Sequence, residues 1–107
     1  FAGTGALGLE AISRGAVRAT FVDDGAVARA LLRRNIDLTR TGDVTTALRS
    51  NATRMGAAPD GGYGLVFLDP PYGKGLGEAA LTEADARVAA MRARVQEWRK
   101  ATKDPWV

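Results

Sequence analysis

The chain has 107 residues, of which 46% are hydrophobic and 25% are charged, a composition typical of one small globular domain. Its 15 basic and 12 acidic side chains give a net charge of +3, which permits a nucleic-acid partner without requiring one. Cysteine and histidine are absent, which excludes disulfides, thiolate catalysis, histidine acid–base chemistry and the usual zinc ligands. We therefore expect a cytoplasmic protein with no metal site. No stretch of the sequence is long and apolar enough to predict a membrane span.

A glycine-rich turn opens the chain. Residues 1–8, Phe-Ala-Gly-Thr-Gly-Ala-Leu-Gly, match the pattern G-x-G-x-x-G, in which glycines permit a tight turn and let a ligand approach the backbone. Such turns normally follow a buried strand, of which only Phe1 is present, so we expect a truncated N-terminus. The turn suits a nicotinamide dinucleotide as well as S-adenosylmethionine, and by itself it does not distinguish them.

Alternating helices and strands are predicted after the turn. A helix over residues 7–14 ends at Gly15, and a strand over residues 18–22 follows. Asp23 ends this strand, 20 residues after Gly3, where a carboxylate can accept hydrogen bonds from ribose hydroxyls. The next helix covers residues 26–39, and we expect Gly42 to end it. Val27, Leu31 and Leu38 are expected to lie on or near its buried face.

The second half of the chain is predicted to contain two short strands and one helix. Residues 44–48 form a weak strand, residues 52–62 a loop, and residues 65–68 a short buried strand. Thr82, with Asp85 three residues later, resembles a capping box that begins an amphipathic helix ended by Lys103-Asp104-Pro105. The apolar stripe of that helix comprises Ala84, Val88, Met91, Val95 and Trp98. This order of elements predicts an α/β fold with a parallel sheet.

The second motif, Asp69-Pro70-Pro71-Tyr72, directly follows the apolar run 65–68. Asp69 and the carbonyl of Pro70 can accept the two hydrogens of a base amino group, which turns its lone pair toward a methyl donor. Pro71 keeps Pro70 out of helical geometry, and Tyr72 can stack on the ring. An ordinary Pro-Pro turn capped by Asp69 is the alternative. The motif favours methyl transfer, in which alignment supplies much of the rate enhancement.

Together the motifs resemble the bacterial 16S ribosomal RNA (guanine-N2)-methyltransferases over residues 1–81. The resemblance rests on three runs: residues 1–11, Phe21-Val22-Asp23, and Leu65 through Leu76. It implies a Rossmann-like, doubly wound parallel sheet of the class I methyltransferase type, here incomplete. Residues 1–81 would form a partial S-adenosylmethionine-binding domain, and residues 82–107 an amphipathic helix and tail in the same domain or at an interface.

The resemblance also implies roles for individual residues. The cofactor S-adenosylmethionine would be bound by Phe1, Gly3, Gly5, Asp23, Asn51, Ala52 and Asp69. Asp69, Pro70 and Tyr72 would be catalytic, and Pro71, Tyr72 and Lys74 would contact the target guanine or the RNA. Where the family usually has an acidic residue near the adenine, this chain has Asn51. At the position of Asp23, the family more commonly has Glu. Lys74 would contact RNA phosphate. The alternative is that Lys74 is a solvent-exposed lysine in a loop.

The predicted function is methyl transfer to the exocyclic N2 amino group of a guanine in 16S rRNA, with the guanine flipped out of its helix. We expect a monomer if the chain is complete. An adenine-N6 methyltransferase acting on DNA or RNA is the closest alternative. A dinucleotide-dependent oxidoreductase leaves Asp69-Pro70-Pro71-Tyr72 unexplained. The non-enzymatic alternative is an inactive fragment that associates through the stripe of the C-terminal helix.

Overall fold

The computed structural model describes residues 1–55, 62–71 and 73–82. Its elements in chain order are α1 (Ala6–Ser13), β1 (Ala19–Asp23), α2 (Ala26–Thr39) and β2 (Thr45–Arg49). A third helix, α3, begins at residue 76 and is described through residue 82. The first four elements lie within one residue of their predicted positions, so these predictions are confirmed.

The two strands form a parallel sheet. Ala19 lies opposite Thr45, and Asp23 lies opposite Arg49. Because the strands are parallel and α2 connects them, their carboxyl ends lie at the same edge of the sheet. The predicted parallel α/β arrangement is therefore confirmed for these strands. The described residues contain this two-stranded sheet and not a complete doubly wound one.

The core lies on one face of the sheet, between β1 and the two helices. Phe21 of β1 and Leu32 and Ile36 of α2 are buried, and Leu9 of α1 packs against them. Leu32 and Ile36 are four residues apart, so they lie on the same side of α2.

The predicted buried face of α2 was wrong. Val27 is 76% exposed and Leu38 is 70% exposed, and Leu31 is also exposed. The sequence of α2 carries two apolar stripes, and the one that contains Leu32 and Ile36 faces β1. Apolar periodicity alone does not tell which of two stripes is covered.

The two long helices end in left-handed residues. Gly15 has φ 104°, and its N–H and that of Ala16 donate to the last carbonyls of α1, as predicted for a glycine stop. At the end of α2, Arg40 (φ 55°) takes this conformation, so the prediction that Gly42 ends the helix was wrong.

The predicted buried strand over residues 65–68 is absent. These residues have no regular structure, and Leu65 and Phe67 are 57% and 48% exposed. A strand requires backbone hydrogen bonds to a neighbour. Among the described residues, β1 is flanked by β2 on one side and by residues 1–2 on the other, and no hydrogen bond joins residues 65–68 to the other edge of β2.

Thr82 does not begin a helix. It lies within α3, and its hydroxyl donates to the carbonyl of Glu78 at 2.9 Å, a bond typical of threonine inside a helix. The predicted stripe over residues 84–98 and the helix end at residues 103–105 lie outside the described residues. Within the part of the chain that is described, no helix is long and apolar enough to cross a bilayer.

Gly8 allows α1 to approach the core closely. A methyl group at this position would lie 2.8 Å from Cζ of Phe21 and closer still to Cε1. The Gly8→Ala change should therefore destabilise the fold by up to about 2 kcal/mol, because overpacking costs about 1–3 kcal/mol and the gain in helix propensity offsets about 1 kcal/mol. Urea unfolding followed by circular dichroism measures this change.

The matched control is the same change in a Phe21→Leu background, in which the smaller side chain leaves room for the methyl group. The cost of Gly8→Ala should then largely disappear. An equal cost in both backgrounds would show that contact with the Phe21 ring is not what requires glycine.

Candidate functional site

The glycine turn is attached to the carboxyl end of β1. The backbone nitrogens of Phe1 and Ala2 both donate to the carbonyl of Val22, at 2.7 and 3.0 Å. Alternate residues of a strand point their backbone groups to opposite sides, and Ala19 donates toward β2. The carbonyl of Val22 therefore points away from β2, and the turn begins on the side of β1 opposite β2.

Two peptide groups of the turn are held at both ends. In the first, Gly3 N–H donates to Asp23 Oδ2 at 2.9 Å, and the carbonyl of Ala2 accepts from Gly5 N–H at 2.9 Å. In the second, which joins Thr4 and Gly5, the carbonyl of Thr4 accepts from Asn35 Nδ2 at 2.9 Å, and Gly5 N–H donates to the carbonyl of Ala2. Because a peptide group is planar, these bonds fix the orientation of both groups.

The peptide group between them, which joins Gly3 and Thr4, has no hydrogen-bond partner among the described residues. Gly3 adopts a left-handed conformation (φ 56°), and apart from Gly3 and its two chain neighbours no residue has an atom within 4 Å of the position that a Cβ would occupy. The turn thus presents one unpaired carbonyl and one unpaired N–H beside open space, between two rigidly held peptide groups.

The start of α1 adds further donors next to this peptide group. The helix begins at Ala6 after Gly5, and no side chain caps it. The first N–H groups of a helix have no partner inside the helix, and the helix dipole makes this end favourable for negative charge. The turn and the helix start together therefore suit a ligand with both acceptor and donor groups.

The three glycines of the motif have different roles. A Cβ on Gly5 (φ 82°) would collide with Cδ1 of Leu32 and lie 3.3 Å from the ring of Phe21. Gly8 also meets the Phe21 ring. Gly5 and Gly8 therefore allow close packing on the core, and Gly3 is the motif glycine that borders open space.

Asp23 joins three parts of the site. Its Oδ2 accepts from Gly3 N–H and its Oδ1 accepts from Gly25 N–H at 2.8 Å, and Gly25 is the residue that precedes α2. Burial by itself raises the pKa of Asp23, but the bonds from Gly3 and Gly25, with the charges of the Phe1 amino group and Arg29, outweigh it. The net effect lowers the pKa below its ordinary value of 3.8. Each carboxylate oxygen keeps a lone pair for a further donor.

Asn51 and Ala52 follow β2 at the same edge of the sheet. Oδ1 of Asn51 accepts from the N–H and the hydroxyl of Thr53, at 2.9 and 2.7 Å, and its carbonyl accepts from Arg54 N–H. Ala52 is buried. Asn51 thus shapes a compact turn after β2, and its side-chain oxygen is already used within that turn.

The segment with Asp69 packs against α3. Asp69 and Lys74 are exposed, and Pro70 Cγ lies 3.2 Å from where a Cβ of Gly77 would be, so Pro70 packs closely on α3. No hydrogen bond between described residues joins this segment to the glycine turn. Tyr72 lies outside the described residues.

Of the predicted site residues, the structure brings Phe1, Gly3 and Gly5 together with Asp23, and it places Asn51 and Ala52 at the same edge of the sheet. No hydrogen bond between described residues joins Asp69 or Pro70 to them. Sequence reasoning missed Asn35. The available signal was an amide between Leu32 and Ile36 on a helix, where apolar residues are expected.

A family model described as "Conserved hypothetical protein 95" matches residues 1–95. The chain is 40% identical over 82 residues to "Ribosomal RNA small subunit methyltransferase D" of Escherichia coli (strain K12), covering 76% of this chain and 40% of that protein. It is 36% identical over 88 residues to "Putative rRNA methyltransferase YlbH" of Bacillus subtilis (strain 168), covering 79% of this chain and 48% of that protein. The predicted resemblance to ribosomal RNA methyltransferases is confirmed.

The chain therefore spans less than half the length of these two relatives. A further relative, "Ribosomal RNA small subunit methyltransferase D" of Buchnera aphidicola subsp. Baizongia pistaciae (strain Bp), is 33% identical over 72 residues. No solved structure matches the chain significantly.

The lowered pKa of Asp23 predicts a specific pH dependence of stability. Because the folded-state pKa lies below the unfolded value, the ionised carboxylate stabilises the fold above the unfolded pKa, and this contribution is lost as pH falls through the folded pKa. The Asp23→Asn variant should lose about 1–2 kcal/mol near neutral pH, since an amide keeps at most one of the two bonds. Its stability should then fall less than that of the wild type on acidification.

Urea midpoints measured from about pH 6 to about pH 2.5 test this expectation. The control is Asp24→Asn, which alters an exposed carboxylate that accepts no hydrogen bond from the described residues. Wild type and Asp23→Asn curves that remain parallel throughout would contradict the role assigned to the Asp23 carboxylate.

Proposed function

The chain belongs to the conserved hypothetical protein 95 family, and we propose that it carries the S-adenosylmethionine site and the base site of a small-subunit ribosomal RNA methyltransferase. The observation that carries the proposal is the unpaired Gly3–Thr4 peptide group, which is held between two fixed peptide groups beside open space. The names of the relatives supply the reaction class and the RNA substrate.

The glycine turn fits the chemistry of this cofactor. S-adenosylmethionine carries a carboxylate and an ammonium group, two ribose hydroxyls and an adenine. The N–H groups that begin α1 suit the carboxylate, and the unpaired carbonyl of Gly3 suits a donor such as the ammonium group. The remaining lone pairs of Asp23 can accept the ribose hydroxyls. Phe1, Asn51 and Ala52 would border the adenine.

S-adenosylmethionine supplies an activated methyl group. The protein's task is to align a base amino group, whose lone pair is delocalised into the ring. Asp69 and the carbonyl of Pro70 would accept the two amino hydrogens and so direct the lone pair out of the ring plane. Tyr72 would stack on the ring, and Pro71 and Lys74 would contact the base and the RNA. Close packing of Pro70 on α3 would limit movement of its carbonyl.

We propose the N2 amino group of a guanine in 16S rRNA as the target, on a nucleotide flipped out of its helix. The guanine target comes from the motif around Asp69 through Leu76, and the small-subunit RNA from the names of the relatives. A complete doubly wound sheet, of which β1 and β2 would be two strands, is part of the same proposal.

Cofactor binding at the turn is tested with Gly3→Ala. A methyl group on Gly3 would point into the space proposed for the ligand, so the dissociation constant for S-adenosylmethionine should rise at least about tenfold. The cost in stability should be only about 1–2 kcal/mol, which is the strain of a left-handed alanine. Isothermal calorimetry and thermal unfolding measure the two effects.

Gly15→Ala is the matched control, because Gly15 also has positive φ and open space around it but lies after α1. It should cost a similar amount of stability and leave binding unchanged. Equal loss of affinity in both variants, or full affinity in Gly3→Ala, would contradict a cofactor site at the turn.

The reaction is tested by transfer of labelled methyl groups to small-subunit rRNA, followed by identification of the modified nucleoside. We expect N2-methylguanosine, and a rate lower by about a hundredfold in Asp69→Ala, which removes one of two acceptors. Asp43→Ala changes an exposed carboxylate between α2 and β2 and should not alter the rate. N6-methyladenosine as the product would favour the adenine-directed alternative instead.

A further inference from the structure

Asn35 is linked to the glycine turn across a long stretch of sequence. Its side-chain Nδ2 donates to the carbonyl of Thr4 at 2.9 Å, although the two residues are 31 positions apart. Leu32 lies one helical turn before Asn35, is almost completely buried, and meets the position that a Cβ on Gly5 would take. The same side of α2 therefore contacts the turn through one apolar and one polar side chain.

We propose that Asn35 is a positioning residue for cofactor binding, because its amide sets the orientation of the unpaired Gly3–Thr4 peptide group. This inference rests on the proposed function, since it assumes that S-adenosylmethionine binds at the glycine turn. Asn35 itself makes no contact with the cofactor in this proposal.

The physical reason lies in the freedom of the turn. Gly3 and Gly5 both have positive φ, and glycine populates many backbone conformations at little energetic cost. Without the bond from Asn35, the carbonyl of Thr4 can rotate toward the unpaired N–H groups at the start of α1. That rotation would turn the neighbouring Gly3–Thr4 peptide group away from the open space and use donors that the ligand needs.

Helix stability does not explain an asparagine at this position. Asparagine is a poorer helix former than alanine, and Asn35 lies within α2. A change to alanine should leave α2 intact or strengthen it. Loss of cofactor affinity in such a variant, without loss of helix, is therefore the result that distinguishes positioning from a purely structural role.

The experiment compares the wild-type chain with Asn35→Ala and Asn35→Asp. Alanine removes the donor, and aspartate keeps the shape but places a charged acceptor against the Thr4 carbonyl. The dissociation constant for S-adenosylmethionine should rise about fivefold in Asn35→Ala and more in Asn35→Asp. Arg34→Ala is the matched control, because it changes the adjacent exposed residue of α2 and should leave affinity unchanged.

Amide hydrogen exchange of the ligand-free chain supplies an independent readout. Exchange at Gly5, whose N–H bonds to Ala2, should accelerate in both Asn35 variants, and exchange at Phe21 in the core should not change. Unchanged exchange at Gly5 would overturn the proposal, and so would unchanged affinity in the two variants.

Failure of the two proposals can be told apart. If the wild type binds the cofactor and the variants bind equally well, only the role of Asn35 fails. If the folded wild type does not bind the cofactor at all, the proposed function fails and takes this inference with it. A fall in unfolding temperature with loss of helix in both variants would assign Asn35 to the fold and also overturn the inference.

Discussion

The carboxylate of Asp23 is the interaction on which the candidate site depends. It stands at the end of β1 and accepts hydrogen bonds from Gly3, in the turn before α1, and from Gly25, the residue before α2. A side chain with two acceptor oxygens is suited to this position because two backbone donors converge on it. One residue thus joins a strand end, the glycine turn and the start of a helix.

The shape of the turn follows from this attachment and from the core beneath it. Phe21 and Leu32 occupy the space under Gly5, and Phe21 also lies against Gly8, so neither position can carry a side chain without displacement of the core. Gly3 is not constrained in this way. This difference explains why the motif requires several glycines although its unpaired peptide group involves only Gly3.

Local patterns predicted the first half of the fold well. Gly15 stops α1, and the apolar run before Asp23 forms β1, because both depend on nearby residues. The strand predicted over residues 65–68 was wrong because a strand exists only when a neighbour pairs with it. The buried face of α2 was mistaken because either of its apolar stripes can be covered, and the position of β1 decides which one.

The candidate site was predictable to a similar extent. Gly3 and Asp23 follow a spacing that reflects one turn, one helix and one strand, and the structure joins them by a hydrogen bond. Asn35 has no such spacing rule, since its contact with Thr4 depends on how α2 packs against the turn. Each carboxylate oxygen of Asp23 accepts one backbone N–H and keeps a second lone pair, so the structural bonds leave room for the proposed contact to ribose.

Titration of the isotope-labelled chain with S-adenosylmethionine, followed by the backbone amide resonances, tests the central claim most directly. We predict that the Thr4 amide, which is unpaired in the ligand-free chain, shifts strongly with the first amides of α1. The hydrogen-bonded Gly5 amide should shift less. Saturation of binding with no change at Thr4 would contradict the account, because the cofactor would then bind away from the glycine turn.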